Sequence, residues 1–295
     1  MTAITTQALG KAYGGRWALR DCTLTVPRGR VVGLVGANGA GKTTLLHLTV
    51  GLLEPTEGAI SVLGAPPRSG SSQLARIGFL AQDAPVYSSL TVAEHLRLGA
   101  RLNPGWDHDL ATRRVESLGL PLTQRSGRLS GGQRSQLALT LAMGKRPELL
   151  VLDEPVASLD PLARRDFLAD LMALVAEHRP TVVLSSHLLA DVERVCDHLV
   201  ILAGGQVRLA GDVDDLLAGH KVLTGPRRDV DAVPRTQEVI SVSHTDRQTT
   251  MLVRTDEPVL DPRLVVTDVG LEELVLAYMA PAASPARRHL DAVRS

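Results

Sequence analysis

Short runs of uninterrupted apolar residues recur along this chain, separated by segments whose apolar positions fall on one helical face. Val31-Val32-Gly33-Leu34-Val35, Arg76-Ile77-Gly78-Phe79-Leu80, Leu149-Leu150-Val151-Leu152 and Thr181-Val182-Val183-Leu184 are four such runs, the second and fourth opening on one polar residue. Apolar residues at successive positions over this length are the pattern of strands buried on both faces of a parallel sheet. Between and after them the spacing predicts helices over 44–50, 133–143, 161–177 and 187–195, and further strands over 199–202 and 207–209. Residues 3–9 and 18–27 alternate partially around Gly14-Gly15 and are read as two antiparallel strands, joined by a loop that carries Tyr13. Residues 58–62 form another short strand. Over 90–122 the period turns helical: Thr91 and Glu94 have capping-box spacing, and a second helix is predicted over 107–118.

Past Gly219 the pattern loosens. Residues 238–243 and 250–253 read as a hairpin and 264–267 as a third strand. Residues 271–279 read as a helix with Leu271, Leu274, Val275 and Tyr278 on one face. From Pro281 on, Pro, Ala, Ser and Arg predominate and disorder is expected over 281–295. The predicted organisation is a main domain over 3–219 with a helical insertion at about 90–130, and a small accessory segment over 220–280. The fold class is α/β: a mostly parallel, doubly wound sheet, an antiparallel β edge, an inserted helical subdomain and a small α+β C-terminal extension.

Composition narrows the function classes. The 295 residues carry 32 basic and 32 acidic side chains, a balance that does not suggest a dedicated nucleic-acid binder. Aromatics make up 2%, too few for base-stacking platforms. Cys22 and Cys196 lack metal-type spacing and are read as small core residues. Neither a signal peptide nor an apolar run of about 20 residues is seen, so a cytoplasmic location is expected, with any membrane role needing a separate chain.

The chemistry starts at Gly36-Ala37-Asn38-Gly39-Ala40-Gly41-Lys42-Thr43, which reads G-x-x-x-x-G-K-T between a predicted strand and a predicted helix opening at Thr44. That is the context of a phosphate-binding loop. The glycines let backbone N–H groups turn inward around phosphate oxygens, and the helix terminus adds positive field. Lys42 would reach the β- and γ-phosphates and Thr43 would offer its hydroxyl to Mg²⁺. A P-loop NTPase core is therefore expected. Leu149-Leu150-Val151-Leu152-Asp153-Glu154 matches a Walker B strand. Asp153 would hold Mg²⁺ and Glu154 would orient or deprotonate an attacking water. The same acids could instead cap a helix.

Leu129-Ser130-Gly131-Gly132-Gln133 completes the set. Ser130 can cap the following helix while Gly131 and Gly132 expose N–H groups at its positive end, a second anion site. Here the chain resembles the ATP-binding cassette (ABC) ATPases, whose signature reads LSGGQ and whose motifs stand in this order. The resemblance covers about 3–219 and implies ATP and Mg²⁺ as ligands, with Ser130 to Gln133 serving nucleotide held by an opposite subunit. It implies that Tyr13 stacks on adenine, with Trp17 as the rival, and that Gln82 contacts Mg²⁺. It also implies that Asp160 crosses the dimer interface, where it could equally be the N-cap before Pro161, and that His187 contacts the γ-phosphate beside Glu154. Val156 stands where many relatives have threonine, which removes no catalytic group.

One phosphate loop and one signature per chain imply a head-to-tail dimer with a second ATPase, identical or homologous. The resemblance further implies a transmembrane permease as partner, with the protein peripheral to the inner face of the membrane and export favoured over import. A soluble relative acting on nucleic acid or ribosomes is the alternative; no nucleic acid is expected, and the long coiled-coil insertion or second cassette of such relatives is missing.

Overall fold

The computed structural model describes residues 1–83, 86–227, 237–255, 257–259 and 261–280. The expected tail over 281–295 lies outside them. Two compact units divide the chain, Met1–Ala210 and Gly211–Ser295.

The first unit opens with a hairpin, β1 (Thr2–Tyr13) and β2 (Arg16–Pro27), longer on both arms than the alternation predicts. Tyr13 is thus the last residue of a strand, paired with Arg16, rather than part of a loop. Irregularities in the register hide the alternation on which a sequence reading depends. β3 (Val31–Val35) is buried throughout and leads into α1 (Lys42–Thr49). β4 (Glu57–Val62) then pairs antiparallel with β1, giving the order β2-β1-β4. A short helix not expected from sequence, α2 (Ser71–Ala75), precedes β5 (Ile77–Leu80).

The helical insertion is α3 (Val92–Leu102) and α4 (His108–Ser117). Thr91 and Glu94 exchange both bonds of a capping box, and Asp107 accepts the Leu110 N–H at 2.9 Å to start α4. Val92, Leu96, Ala111 and Val115 close on Leu129 and Leu137 of the next segment, burying the insertion's apolar face. That segment is α5 (Gly131–Gly144), which carries the insertion back to β6 (Leu149–Asp153) and α6 (Pro161–His178). A buried polar tie fastens the three helices: Arg114 Nη2 donates to Gln136 Oε1 at 2.6 Å, and Gln136 Nε2 donates to Asp170 Oδ2 at 2.8 Å.

β7 (Thr181–Ser186), α7 (Leu189–Val195), β8 (His198–Ala203) and β9 (Gln206–Asp212) complete a six-stranded sheet ordered β5-β6-β7-β3-β8-β9. Strands β5, β6, β7, β3 and β8 run parallel. Alternate side chains face opposite layers. Val32 and Leu34 pack with α1 and the antiparallel sheet, while Val31, Leu150, Leu152, Val182 and Leu184 pack with Phe167, Leu168 and Leu171 of α6. Each fully buried leucine here contributes about 1.5–3 kcal/mol over its exposed state.

In the second unit, α8 (Val213–Ala218) and β10 (His220–Pro226) are two elements that the sequence reading lacks. β10 joins β11 (Glu238–His244), β12 (Gln248–Arg254) and β13 (Val265–Asp268) in an antiparallel sheet ordered β11-β12-β10-β13. The predicted hairpin and third strand are present, but β10 is the strand that joins them. α9 (Leu271–Met279) buries Leu271, Leu274 and Val275. Tyr278 on the same helix bonds the buried His220 ring, hydroxyl to Nε2 at 2.9 Å.

Candidate functional site

Parallel order places three loops at one end of the sheet. β6, β7 and β3 are consecutive neighbours, with Asp153 level with Ser185 and Val35 level with Ser186. The segments leaving their carboxyl ends begin at Glu154, His187 and Gly36. The carboxyl ends of strands, where the order reverses around β3, are where open α/β sheets build sites.

Two glycines of the first loop are set by sterics. A Cβ on Gly36 would lie 2.3 Å from the Leu202 carbonyl oxygen. At Gly41 the backbone has φ +105° and a Cβ would lie 2.6 Å from Leu19 Cδ2. Gly41 is the N-cap of α1 and makes no side-chain cap bond, so the first-turn N–H groups of Lys42, Thr43 and Thr44 have no side chain spent on them. Asn38 and Gly39 are exposed, Ala40 is buried and donates its N–H to the Ala37 carbonyl at 3.0 Å. Lys42 is 6% exposed; its Nζ donates to the Gly36 carbonyl at 2.8 Å and stands 3.4 Å from Glu154 Oε1.

Asp153 is buried at the end of β6 and accepts the Ser185 hydroxyl at 2.7 Å. Glu154 follows with φ +45°, a left-handed corner rare for a non-glycine residue, and its N–H donates to Ser185 Oγ at 2.8 Å. The corner aims the Glu154 carboxylate between Lys42 and His187, whose Nδ1 is 3.0 Å from Oε2. Sequence reasoning brings Lys42, Asp153, Glu154 and His187 to one place, and the fold does so too. His187 itself is not in a helix: Leu188 donates its N–H to Ser186 Oγ at 3.0 Å, and this turn delays α7 to Leu189. Ser185 is the residue that sequence reasoning missed. The signal was a hydroxyl at the penultimate buried position of the strand that leads into the histidine segment. Val156 is buried in the core layer with Leu159, which accounts for an apolar side chain there.

Ser130 and Gln133 form a capping box at the start of α5. Ser130 Oγ accepts the Gln133 N–H at 3.2 Å and Gln133 Oε1 accepts the Ser130 N–H at 3.0 Å. Arg134 Nη1 donates to the Leu129 carbonyl at 2.9 Å, holding the loop from behind. A Cβ on Gly132 would lie 3.4 Å from Ala163 Cβ, so this turn packs on the first turn of α6, which Asp160 caps through Leu162 and Ala163 N–H. The capping role of Asp160 is thus present. Ser130 to Gln133 share no hydrogen bond or ion pair with Lys42, Glu154 or His187.

Tyr13 is 49% exposed at the hairpin tip, with Lys11 Nζ 5.5 Å from its ring centroid. Trp17 covers Gly10, 2.9 Å from where a Cβ there would stand, so its ring is partly committed to the sheet. Gln82 is exposed in the turn after β5, on a different segment from Thr43 and Asp153. Among the described residues no cluster of three or more His, Cys, Asp or Glu could hold a metal, and no helix is long and apolar enough to cross a membrane.

A parallel sheet with a phosphate loop, a strand-end acid pair and a facing histidine defines a P-loop nucleotide-binding protein with the fold of the ABC ATPases. The comparisons carry this to the family. The ABC transporter family model matches residues 19–157. The chain is 36% identical to the uncharacterized ABC transporter ATP-binding protein YxlF of Bacillus subtilis over 71% of each chain. It is 35% identical to the Nod factor export ATP-binding protein I of Rhizobium johnstonii, over 69% of this chain and 67% of that one. It is 32% identical to the thiamine import ATP-binding protein ThiQ of Shigella flexneri, over 67% and 87%. A solved ATP-binding subunit of an ABC transporter superposes with TM-score 0.66 at 33% identity, covering 74% of this chain and 92% of that one. The chain belongs to the ABC transporter ATP-binding proteins, a family that binds ATP.

Proposed function

We propose that this chain binds and hydrolyses ATP to drive a separate membrane permease. The observation that carries the reading is the cluster at the strand ends: Lys42 and His187 at 3.4 and 3.0 Å from the two oxygens of one carboxylate, Glu154. In it a phosphate-seeking cation, a proton acceptor and a hydrogen-bonding ring converge beside a helix terminus. Lys42 and the α1 N–H groups hold the β- and γ-phosphates. Glu154 takes the proton of the attacking water. His187 orients Glu154 and reaches the γ-phosphate.

The donors proposed for Mg²⁺ are the Thr43 hydroxyl, the Gln82 amide oxygen and the Asp153 carboxylate. These are hard oxygen ligands with a single acid, which fits a small cation that takes one or two carboxylates and completes its shell with phosphates and water. When bound, Mg²⁺ would neutralise charge on the transferred phosphoryl group.

Ser130, Gly131, Gly132 and Gln133 serve the γ-phosphate of a second subunit's nucleotide. Their separation from Lys42, Glu154 and His187 in the bonding pattern supports a head-to-tail pair, in which Asp160, beside Gly132, lies at the interface. Tyr13, the more exposed of the two rings at 49% against 39% for Trp17, stacks on adenine. ATP then favours closure of the pair and hydrolysis favours opening, and the permease follows by differential affinity. Its docking place is the apolar groove of ≈ 400 Å³ between β5 and α5, lined by Leu52, Leu74, Phe79, Leu80, Val86 and Leu141. This would hold the protein at the inner face of the membrane. Relatives of both transport directions exist; the short closing helix α9 after β13 is the feature on which we favour export.

The test is to purify the chain with its membrane partner after gentle detergent extraction and to measure ATP hydrolysis. Co-purification with an integral membrane protein and turnover of ATP are expected. Recovery with ribosomes or DNA instead would overturn the transport reading.

A further inference from the structure

Ser185 is the penultimate residue of β7, level with Asp153 at the end of the neighbouring strand and bonded to Glu154 just past it, and it is wholly buried. Its hydroxyl makes two bonds, one to Asp153 Oδ1 at 2.7 Å and one from the Glu154 N–H at 2.8 Å. Burial leaves no water to replace either. The direction of each bond is fixed by chemistry. A backbone N–H can only donate, so it takes a lone pair of Oγ, and the hydroxyl proton is the one that points at Asp153. Asp153 Oδ1 is therefore held as an acceptor in one rotamer, and most of the acceptor capacity of that carboxylate is left over.

The second bond acts on the backbone. Glu154 leaves β6 with φ +45°, a conformation that L-residues adopt only where their surroundings over-determine it. The Ser185 bond grips the N–H of that very residue. The corner so held is what turns Glu154 toward Lys42 and His187.

We infer that Ser185 is a positioning residue of the ATPase site: one buried hydroxyl sets the Asp153 carboxylate for a divalent cation and the Glu154 corner for proton abstraction. This rests on the function proposed above. A serine that merely filled the strand end would affect stability and leave cation affinity and turnover alone.

The test uses the full chain as wild type, Ser185→Ala and Ser185→Thr. Mn²⁺ binding in the presence of ADP is followed by loss of the free Mn²⁺ resonance, and ATP hydrolysis is measured separately. Removal of a residue that orients a ligand typically costs about 10–100-fold in affinity or activity, so Ser185→Ala should bind Mn²⁺ at least about 10-fold more weakly. Its kcat should fall by about 10-fold while the KM for ATP stays within about 2-fold, because Lys42 and the α1 terminus are untouched. Ser185→Thr keeps the hydroxyl on a residue suited to a strand and should recover both quantities to within about 3-fold. Wild-type Mn²⁺ affinity and kcat in Ser185→Ala would overturn the role, as would equal impairment of the Ala and Thr variants. A wild-type chain that neither binds Mn²⁺ with ADP nor hydrolyses ATP would overturn the ATPase reading and the role with it, which separates the two failures.

Discussion

Lys42 Nζ and Glu154 Oε1 stand 3.4 Å apart although 111 residues separate their positions, β3 and β6 being divided only by β7 in the sheet. Both side chains are largely buried, at 6% and 12% exposed, so their attraction is little screened by salt. Neither depends on the other alone: Lys42 also donates to the Gly36 carbonyl, and Glu154 also meets His187. Lys42 and Glu154 are thus held by a shared network, which makes their separate loss informative.

Lys42→Ala removes the cation and leaves the loop glycines in place. ATP turnover should fall by at least about 100-fold, the scale of losing a charge-stabilising donor, and ATP affinity should drop with it. Steady-state hydrolysis and a fluorescent-nucleotide titration measure the two. Normal turnover in this variant would remove the phosphate-loop role of residues 36–43.

Glu154→Gln keeps the shape and a hydrogen-bond acceptor for His187 but loses the proton acceptor. Hydrolysis should slow by about 10²–10⁴-fold with ATP binding retained, and a closed dimer should accumulate, visible by light scattering with ATP present. Turnover close to wild type with no trapped dimer would exclude Glu154 as the base.

Most strands and the phosphate loop of the first unit were legible because their signals are contiguous: four apolar side chains and one glycine in β3, a glycine-rich octet, an acid pair at the end of β6. What sequence did not show depends on pairings across the fold. β10 begins His220-Lys221, two polar residues that mask a strand, and His220 is satisfied by Tyr278, 58 residues on. α8 did leave a local trace, since Asp212 caps it through the Asp214 N–H and two acids follow in its first turn. Ser185 belongs to no motif, and its importance exists only once β7 lies against β6. Tyr13 reads as a loop residue in the sequence because register shifts between Thr6 and Ala12 break the alternation of β1.

Ser130→Arg should abolish hydrolysis while the isolated chain still binds ATP, because the phosphate loop and the signature share no bond within one chain. The substitution also deletes the N-cap of α5, so Ser130→Ala is the control. It should cost about 1 kcal/mol of stability, read by denaturant unfolding, with hydrolysis affected far less than in the arginine variant. Equal loss of ATP binding by the Ser130→Arg monomer would make the serine purely structural.

His220 contributes an acid-side pH dependence to the second unit. The ring is 1% exposed, with Nδ1 on the Leu216 carbonyl at 2.6 Å and Nε2 on the Tyr278 hydroxyl at 2.9 Å. Burial is the main cause that holds its pKa below the ordinary imidazole value of about 6.5; Arg254 lowers it further, while the Leu216 bond and Glu238 act in the opposite sense. The unfolded chain therefore takes up this proton before the folded one does. The stabilisation is complete above about pH 6.5 and is lost as pH falls through the folded pKa. Melting of the second unit, followed by hydrogen exchange over 211–280, should shift to lower temperature on acidification below about pH 6.5 in the wild type. His220→Phe carries no proton to either state, so its pH slope in this range should be shallower by the contribution of one group. An unchanged slope would mean that protonation of His220 does not set the acid limit of this unit.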